Sequence, residues 1–204
     1  MINMKKPYFE PVKDNEEKRK TYSEVKIQLK KALSAGFYGE AIMIDYAMME
    51  DRLKSFLYHI GALKTKDSFE IDNYAFIEKF NLSYKENKDG SKYVPIKDIS
   101  KKIKIVRKVL KTIQNYSEKD QYLFLLFQTL GEESIKRFLD NLKKIEKWKD
   151  PRNEIVHALF NKNIEAVKEE YEKLCENGLG YAESINTQVK KVKRTNSIRK
   201  AIGL

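Results

Sequence analysis

An all-α bundle of about six or seven helices is the fold class that this sequence predicts. Helix breakers are scarce, with 8 Gly and 4 Pro in 204 residues. Apolar residues recur at helical spacing over long stretches. The glycines at 36, 61, 131 and 178 fall between those stretches, where helices should end.

Residues 1–20 are polar, carry Pro7 and Pro11, and read as a mobile or surface-packed lead-in to a single helical domain over 21–187. Thr21 or Ser23 can cap a first helix that runs to about Ser34, with Val25, Leu29 and Leu33 on one face. The next stretch, 38–60, is apolar nearly all round through Ala41, Ile42, Ile44, Tyr46, Met49, Leu53, Phe56, Leu57 and Ile60, which marks a central helix. A short helix is expected over 69–80. Residues 81–95, with Asp89-Gly90 between tyrosines, read as a loop or small hairpin inserted between helices. Helical spacing returns over 96–115 (Ile99, Ile103, Val106, Val109, Leu110, Ile113), then over 118–130 and 132–148. At Asp150-Pro151 proline disfavours helix in the residue before it but suits a first turn, so a new helix capped by Asp150 is expected to start at Pro151. A last helix is expected over 164–177, and residues 188–204 form a basic C-terminal tail.

The longest apolar run, Tyr122-Leu-Phe-Leu-Leu-Phe127, is too short to span a bilayer, so no membrane partner is expected. The lysines of Met1-Ile-Asn-Met-Lys-Lys-Pro7 lack an apolar signal region behind them, and a single cysteine, Cys175, cannot form an internal disulfide. Both point to a reducing, cytoplasmic setting. The formal net charge of +11 favours polyanionic partners. Part of it is concentrated in Lys190, Lys191, Lys193, Arg194, Arg199 and Lys200, beyond the last acidic residue, Glu183. This segment is either an RNA-binding tail or a solvated one.

The chemistry-bearing stretch is Arg152-Asn153-Glu154-Ile155-Val156-His157, which contains one of only two histidines. On a helix Asn153 and His157 are four apart and share a face; Arg152 projects about 100° away but is long enough to bend to the same ligand. A helix starting at Pro151 would add free N–H groups and a positive dipole end for phosphate. An arginine to hold phosphate beside an imidazole that moves protons suits RNA transesterification: the ribose 2′-OH attacks its own phosphorus and the 5′-oxygen leaves. One chain offers one such histidine, so a homodimer is expected to supply the second proton carrier. One cysteine and two distant histidines make no zinc centre, and no Gly-rich phosphate loop is present, so neither metal nor cofactor is expected. His59 reads as a packing or helix-terminal histidine. The central helix carries Asp45, Glu50 and Asp51; Glu50 falls on an apolar stripe and either pairs with Arg152 or points to water at the stripe's edge.

Two segments, Arg152-Asn153-x-x-x-His157 and the helix Tyr46-Ala-Met-Met-Glu-Asp-Arg-Leu-Lys-Ser-Phe-Leu57, resemble the HEPN superfamily of small helical proteins, many of them ribonucleases. The resemblance implies metal-independent RNA cleavage at a composite dimer site and a role as a toxin or antiviral-defence effector, including abortive infection, with an antitoxin or defence-system partner. It implies catalytic roles for Arg152 and His157, a supporting one for Asn153, and an orienting one for Glu50 or Asp45. The insertion at 81–95 matches no part of it. The alternative is a non-catalytic RNA- or partner-binding helical module, in which Arg152 and His157 contact phosphate or cap a helix.

Overall fold

In the computed structural model the backbone is described over residues 15–116, 119–158, 164–195 and 197–204, with side chains there except at 15, 151–158, 164–168 and 176. The described residues form helices α1 (Asn15–Ser34), α2 (Tyr38–His59), α3 (Tyr74–Lys79), α4 (Ile99–Gln114), α5 (Gln121–Leu130), α6 (Glu132–Ala158), α7 (Ile164–Lys193) and α8 (Ser197–Ala201). Three short strands interrupt them: β1 (Glu70–Ile71), β2 (Lys85–Glu86) and β3 (Lys92–Pro95). The expected all-α bundle is thus the fold.

Helix α2 is central because its apolar residues leave it no solvent face wide enough to stay uncovered. Ala41, Ile42, Met48, Met49, Leu53, Phe56 and Leu57 are all buried, against α7 on one side and α1 and α4 on others. Helix α4 is a regular amphipath: Ile99, Ile103, Val106, Leu110 and Ile113 face the core, and the Asp98 side chain caps it by accepting from Lys101 N at 2.7 Å. Asp120 caps α5 in the same way through Leu123 N. The buried Tyr122 of α5 donates its hydroxyl to Ile60 O at 2.6 Å, and Phe138 of α6 meets Phe56 edge-on. None of the described helices is long and apolar enough to cross a membrane.

The insertion is a hairpin, β2–β3, and it recruits a strand the sequence did not announce. β1 pairs antiparallel with β3 on its other side, giving the order β1-β3-β2. Two residues of β1 suffice because Ile71 and its partner Val94 are buried in the core. Asn73 then caps α3, so that helix starts at Tyr74 rather than near 69.

Four further boundaries differ from the sequence reading. Helix α1 begins at Asn15, with Glu16 and Glu17 in its first turn complementing the dipole, so part of the expected lead-in is helical. Residues 1–14 lie outside the described residues. No new helix starts at Pro151: α6 runs unbroken from Glu132 to Ala158, passing the proline at the cost of one backbone hydrogen bond. One turn earlier Trp148 is buried and donates Nε1–H to Leu174 O of α7 at 2.9 Å, so tertiary packing holds the chain helical where local preference would end it. Helix α7 passes through Gly178 and Gly180 to Lys193. The stretch 188–204 is not a tail: Gln188, Val189, Val192, Ile198 and Ile202 are buried, and Arg199 donates to the carbonyls of Tyr58, Leu63 and Lys64.

Gly178 ends nothing because its bare Cα is a contact surface. A Cβ added there would lie 2.6 Å from Cγ and 2.8 Å from Cβ of Asp45 on α2, whereas one at Gly180 would meet nothing within 4 Å. Gly178→Ala should therefore destabilise the protein by about 1–3 kcal/mol through overpacking. Gly180→Ala should stabilise it by about 0.5–1 kcal/mol through helix propensity. Equilibrium denaturant unfolding of both variants checks the contrast; equal signs would contradict it.

Candidate functional site

Arg152, Asn153 and His157 stand on the last two turns of α6, and their side chains lie outside the described residues. Helical backbone keeps Asn153 and His157 on one face, as the spacing required. What changes is the backbone around it. The motif lies deep in a helix rather than at the start of one, so its backbone N–H groups are taken up within α6 and are not free for phosphate. Affinity for phosphate would have to come from the Arg152 guanidinium itself and from other cations of the protein.

The carboxylates of α2 have separate fates. Glu50 lies at the edge of its stripe with its side chain 31% exposed, and Lys102 of α4 donates Nζ–H to its Oε1 at 2.7 Å; whether Arg152 also reaches it lies outside the described residues. The Lys102 side chain is 1% exposed, so its buried ammonium reaches Glu50 at the edge of the core and joins α4 to α2. The signal was present in the sequence. Lys102 falls on the same stripe as Ile99, Ile103 and Val106, a lone cation on an apolar face, as Glu50 is a lone anion on another. Asp51 is the hub of a second cluster, accepting from Lys18 Nζ, the Tyr22 hydroxyl and Arg52. Burial alone would raise its pKa; the Lys18 charge, the Tyr22 hydrogen bond and Arg52 together outweigh that and hold it below the usual carboxylate range.

Asp45 is fully buried against Gly178, and neither of its oxygens has a hydrogen-bond partner among the described residues. Burial pushes its pKa up to about 7. Nearby, burial and then the Asp45 charge push the Cys175 thiol up to about 12, so this cysteine stays protonated. His59, at the end of α2, has its pKa lowered to about 4 by burial first and then by Lys193, Lys66, Arg199 and Lys18. An imidazole so poor at taking protons at neutral pH fits a packing role better than a catalytic one.

The basic residues of 190–200 divide. Lys191 donates to Leu130 O and Ser134 Oγ, and Arg199 caps the chain after α2; both serve the fold. Lys190, Lys193, Arg194 and Lys200 remain exposed. No cluster of three or more His, Cys, Asp or Glu that could hold a metal ion occurs among the described residues. A cavity of about 660 Å³ lies over the small sheet and is lined by Phe69, Tyr93, Lys85, Lys97 and Lys101 among others; sequence reasoning singled out none of these residues for function. Compared with protein-family models, with curated proteins and with solved structures, the chain matches none.

Asp45 sets a pH dependence with a definite sign. Its folded pKa is raised from 3.8 to about 7, so below pH ~4 both folded and unfolded states hold the proton and Asp45 contributes nothing. Between pH ~4 and ~7 the unfolded chain ionises while the fold retains the proton, and stability is lost over that window. Asp45→Asn should therefore match wild type near pH 4 and exceed it by more than about 1 kcal/mol at pH 8. Thermal melts of the two proteins at both pH values test this, and parallel pH profiles would refute it.

Proposed function

We infer that this protein is a metal-independent endoribonuclease that cleaves RNA through the 2′-OH. The observation that carries the reading is Arg152-Asn153-x-x-x-His157, with the supporting fact that these residues belong to one helix, α6, of an all-α bundle. The likeness of this sequence and of the central helix to the HEPN superfamily points the same way. The net charge of +11 suits a polyanionic substrate.

In the proposed reaction, neutral His157 takes the proton of the 2′-OH as the 2′-oxygen bonds to phosphorus. Arg152 holds the phosphate oxygens while charge grows on them, and Asn153 supports the arrangement. The bond from phosphorus to the 5′-oxygen then breaks, and that oxygen leaves with a proton. The products are a 2′,3′-cyclic phosphate and a free 5′-OH. The proton for the leaving oxygen comes from His157 of a second copy, so the active form is a homodimer with two motifs facing one groove. Such an activity fits a toxin or antiviral-defence effector restrained by a partner.

Wild-type protein should cut single-stranded RNA in excess EDTA, leave DNA intact and produce 2′,3′-cyclic ends. Plain 3′-OH ends or strict dependence on magnesium would overturn the reading. His157→Ala and Arg152→Ala should each lower the cleavage rate by about 10² or more, while His59→Ala should leave it within a few-fold. Wild-type rates in His157→Ala would remove its assigned role and favour a module that binds RNA without cutting it.

A further inference from the structure

Strand register sorts the residues of the small sheet onto two faces. Ile71 and its partner Val94 face the core. Glu70 opposite Pro95 and Lys85 opposite Tyr93 occupy the alternate positions, so these four share the outward face. That face is the floor of the cavity of about 660 Å³, with Ser68 and Phe69 on one side and Lys97, Asp98 and Lys101 on the other. The volume is that of a small-ligand site, room for about one or two nucleotides.

Its chemistry alternates rings and cations. Phe69 is 60% exposed, so much of its ring is open to a ligand. Lys54 holds its Nζ 3.9 Å from the centre of the Phe69 ring, adding a positive charge beside it. The ammonium groups of Lys85, Lys97 and Lys101 have no carboxylate partner among the described residues. Two carboxylates also line the cavity, Glu70 on its floor and Asp98 at its rim, against three lysines; Asp98 is engaged in capping α4. Helix α4 also directs its N-terminus toward this rim, which favours negative charge there. Flat rings between unpaired lysines match the two parts of an unpaired nucleic-acid strand. Bases stack on aromatic faces whatever their sequence, and phosphates meet the cations. A duplex hides its base faces and could use only the lysines; an acidic peptide could use the lysines but gains little from the rings.

We propose that the outward face of the β1-β3-β2 sheet and the start of α4 form a groove for single-stranded RNA. Bases stack on Phe69 and Tyr93, and phosphates lie against Lys85, Lys97 and Lys101. The proposal rests on the ribonuclease reading, to which it assigns a substrate-holding surface outside the Arg152–His157 motif.

The test uses the full chain and a fluorescein-labelled 2′-O-methyl oligouridine in EDTA, with binding read by anisotropy at several salt concentrations. This strand lacks the 2′-OH that the proposed cleavage needs. Binding is therefore read without cleavage, the variants locate it, and failure of the ribonuclease reading would appear separately, as wild-type protein that leaves unmodified RNA intact. The triple variant Lys85→Ala, Lys97→Ala, Lys101→Ala should weaken binding about tenfold or more and reduce the salt slope by about 2. Phe69→Ala should weaken it about fivefold or more with little change in that slope. A control triple, Lys30→Ala, Lys111→Ala, Lys144→Ala, changes exposed lysines elsewhere and should stay within about twofold. All the altered side chains are exposed or half-exposed, so circular-dichroism melts should match wild type. Unchanged affinity in the groove variants overturns the proposal. So does equal loss in the control triple, or a lysine effect without a Phe69 effect, since plain attraction of a polyanion would produce either. Competition by poly-glutamate or by duplex DNA as effective as that by the unlabelled strand overturns it as well.

Discussion

The approach of α7 to α2 at Gly178 is the constraint on which the rest of the bundle depends. With no side chain at that position, the Cα of Gly178 rests on Asp45, and the long faces of the two helices come together over most of α2. Once α7 is set at that distance, its other contacts follow along its length. Glu172 accepts from the Tyr38 hydroxyl at 2.9 Å, Leu174 O accepts from Trp148, and Asn186 accepts from Arg52 at 3.0 Å. The exposed Lys26–Glu183 pair adds little energy by comparison. The main stabilisation is apolar: Leu53, Phe56, Leu57, Ile185, Val189 and Val192 are all buried, each worth about 1.5–3 kcal/mol relative to exposure. The Asp45 carboxyl, without a hydrogen-bond partner among the described residues, is the cost of this close contact, and burial raises its pKa so that the proton is held until nearly neutral pH.

Much of the helical layout was legible because burial imposes periodicity on the sequence. Helix α2 stood out through its all-round apolarity, and α4 through its regular stripe; both lie where the spacing put them, to within a few residues. The hairpin was legible from Asp89-Gly90. What failed was punctuation. Gly178 and Pro151 carry the local chemistry of helix ends, yet each lies inside a helix, because what decides is a partner distant in sequence: Asp45 for the glycine, Leu174 for the tryptophan that anchors the turn before the proline. Strand β1 was invisible for the same reason, since two residues show no period and exist as a strand only through β3. The basic composition of 188–204 concealed a second pattern, Gln188, Val189, Val192, Ile198 and Ile202, which is the signature of a packed segment.

Of the candidate site, sequence could supply residue types and helical spacing but not direction along a helix. Placing the Arg152–His157 stretch within α6 rather than at the start of a new helix removes the free N–H groups and positive dipole end expected around it. That shifts the burden of gripping phosphate onto side chains, in a protein where lysines are plentiful but several are already committed to the fold. Lys102, Lys191 and Arg199 are such cases, each bound to a carboxylate or to backbone carbonyls. Net charge therefore overstates the cations free to meet a ligand. The groove over the sheet escaped notice because its members come from three separate segments, 68–70, 85–95 and 97–101, and no one of them is unusual alone.

The distance in sequence between α2 and α7 has a kinetic consequence. Helical bundles usually fold fast because their contacts are local. Here Tyr38–Glu172 and Arg52–Asn186 each span 134 residues, and Asn73 donates to Ile202 O across 129. The chain must close a loop of most of its length before its largest interface can form, while the apolar surround of α2 waits uncovered. Such a protein should fold more slowly than its helix content suggests. Until α7 arrives, the exposed flank of α2 would be the place where a chaperone, a second chain or an aggregate could bind first.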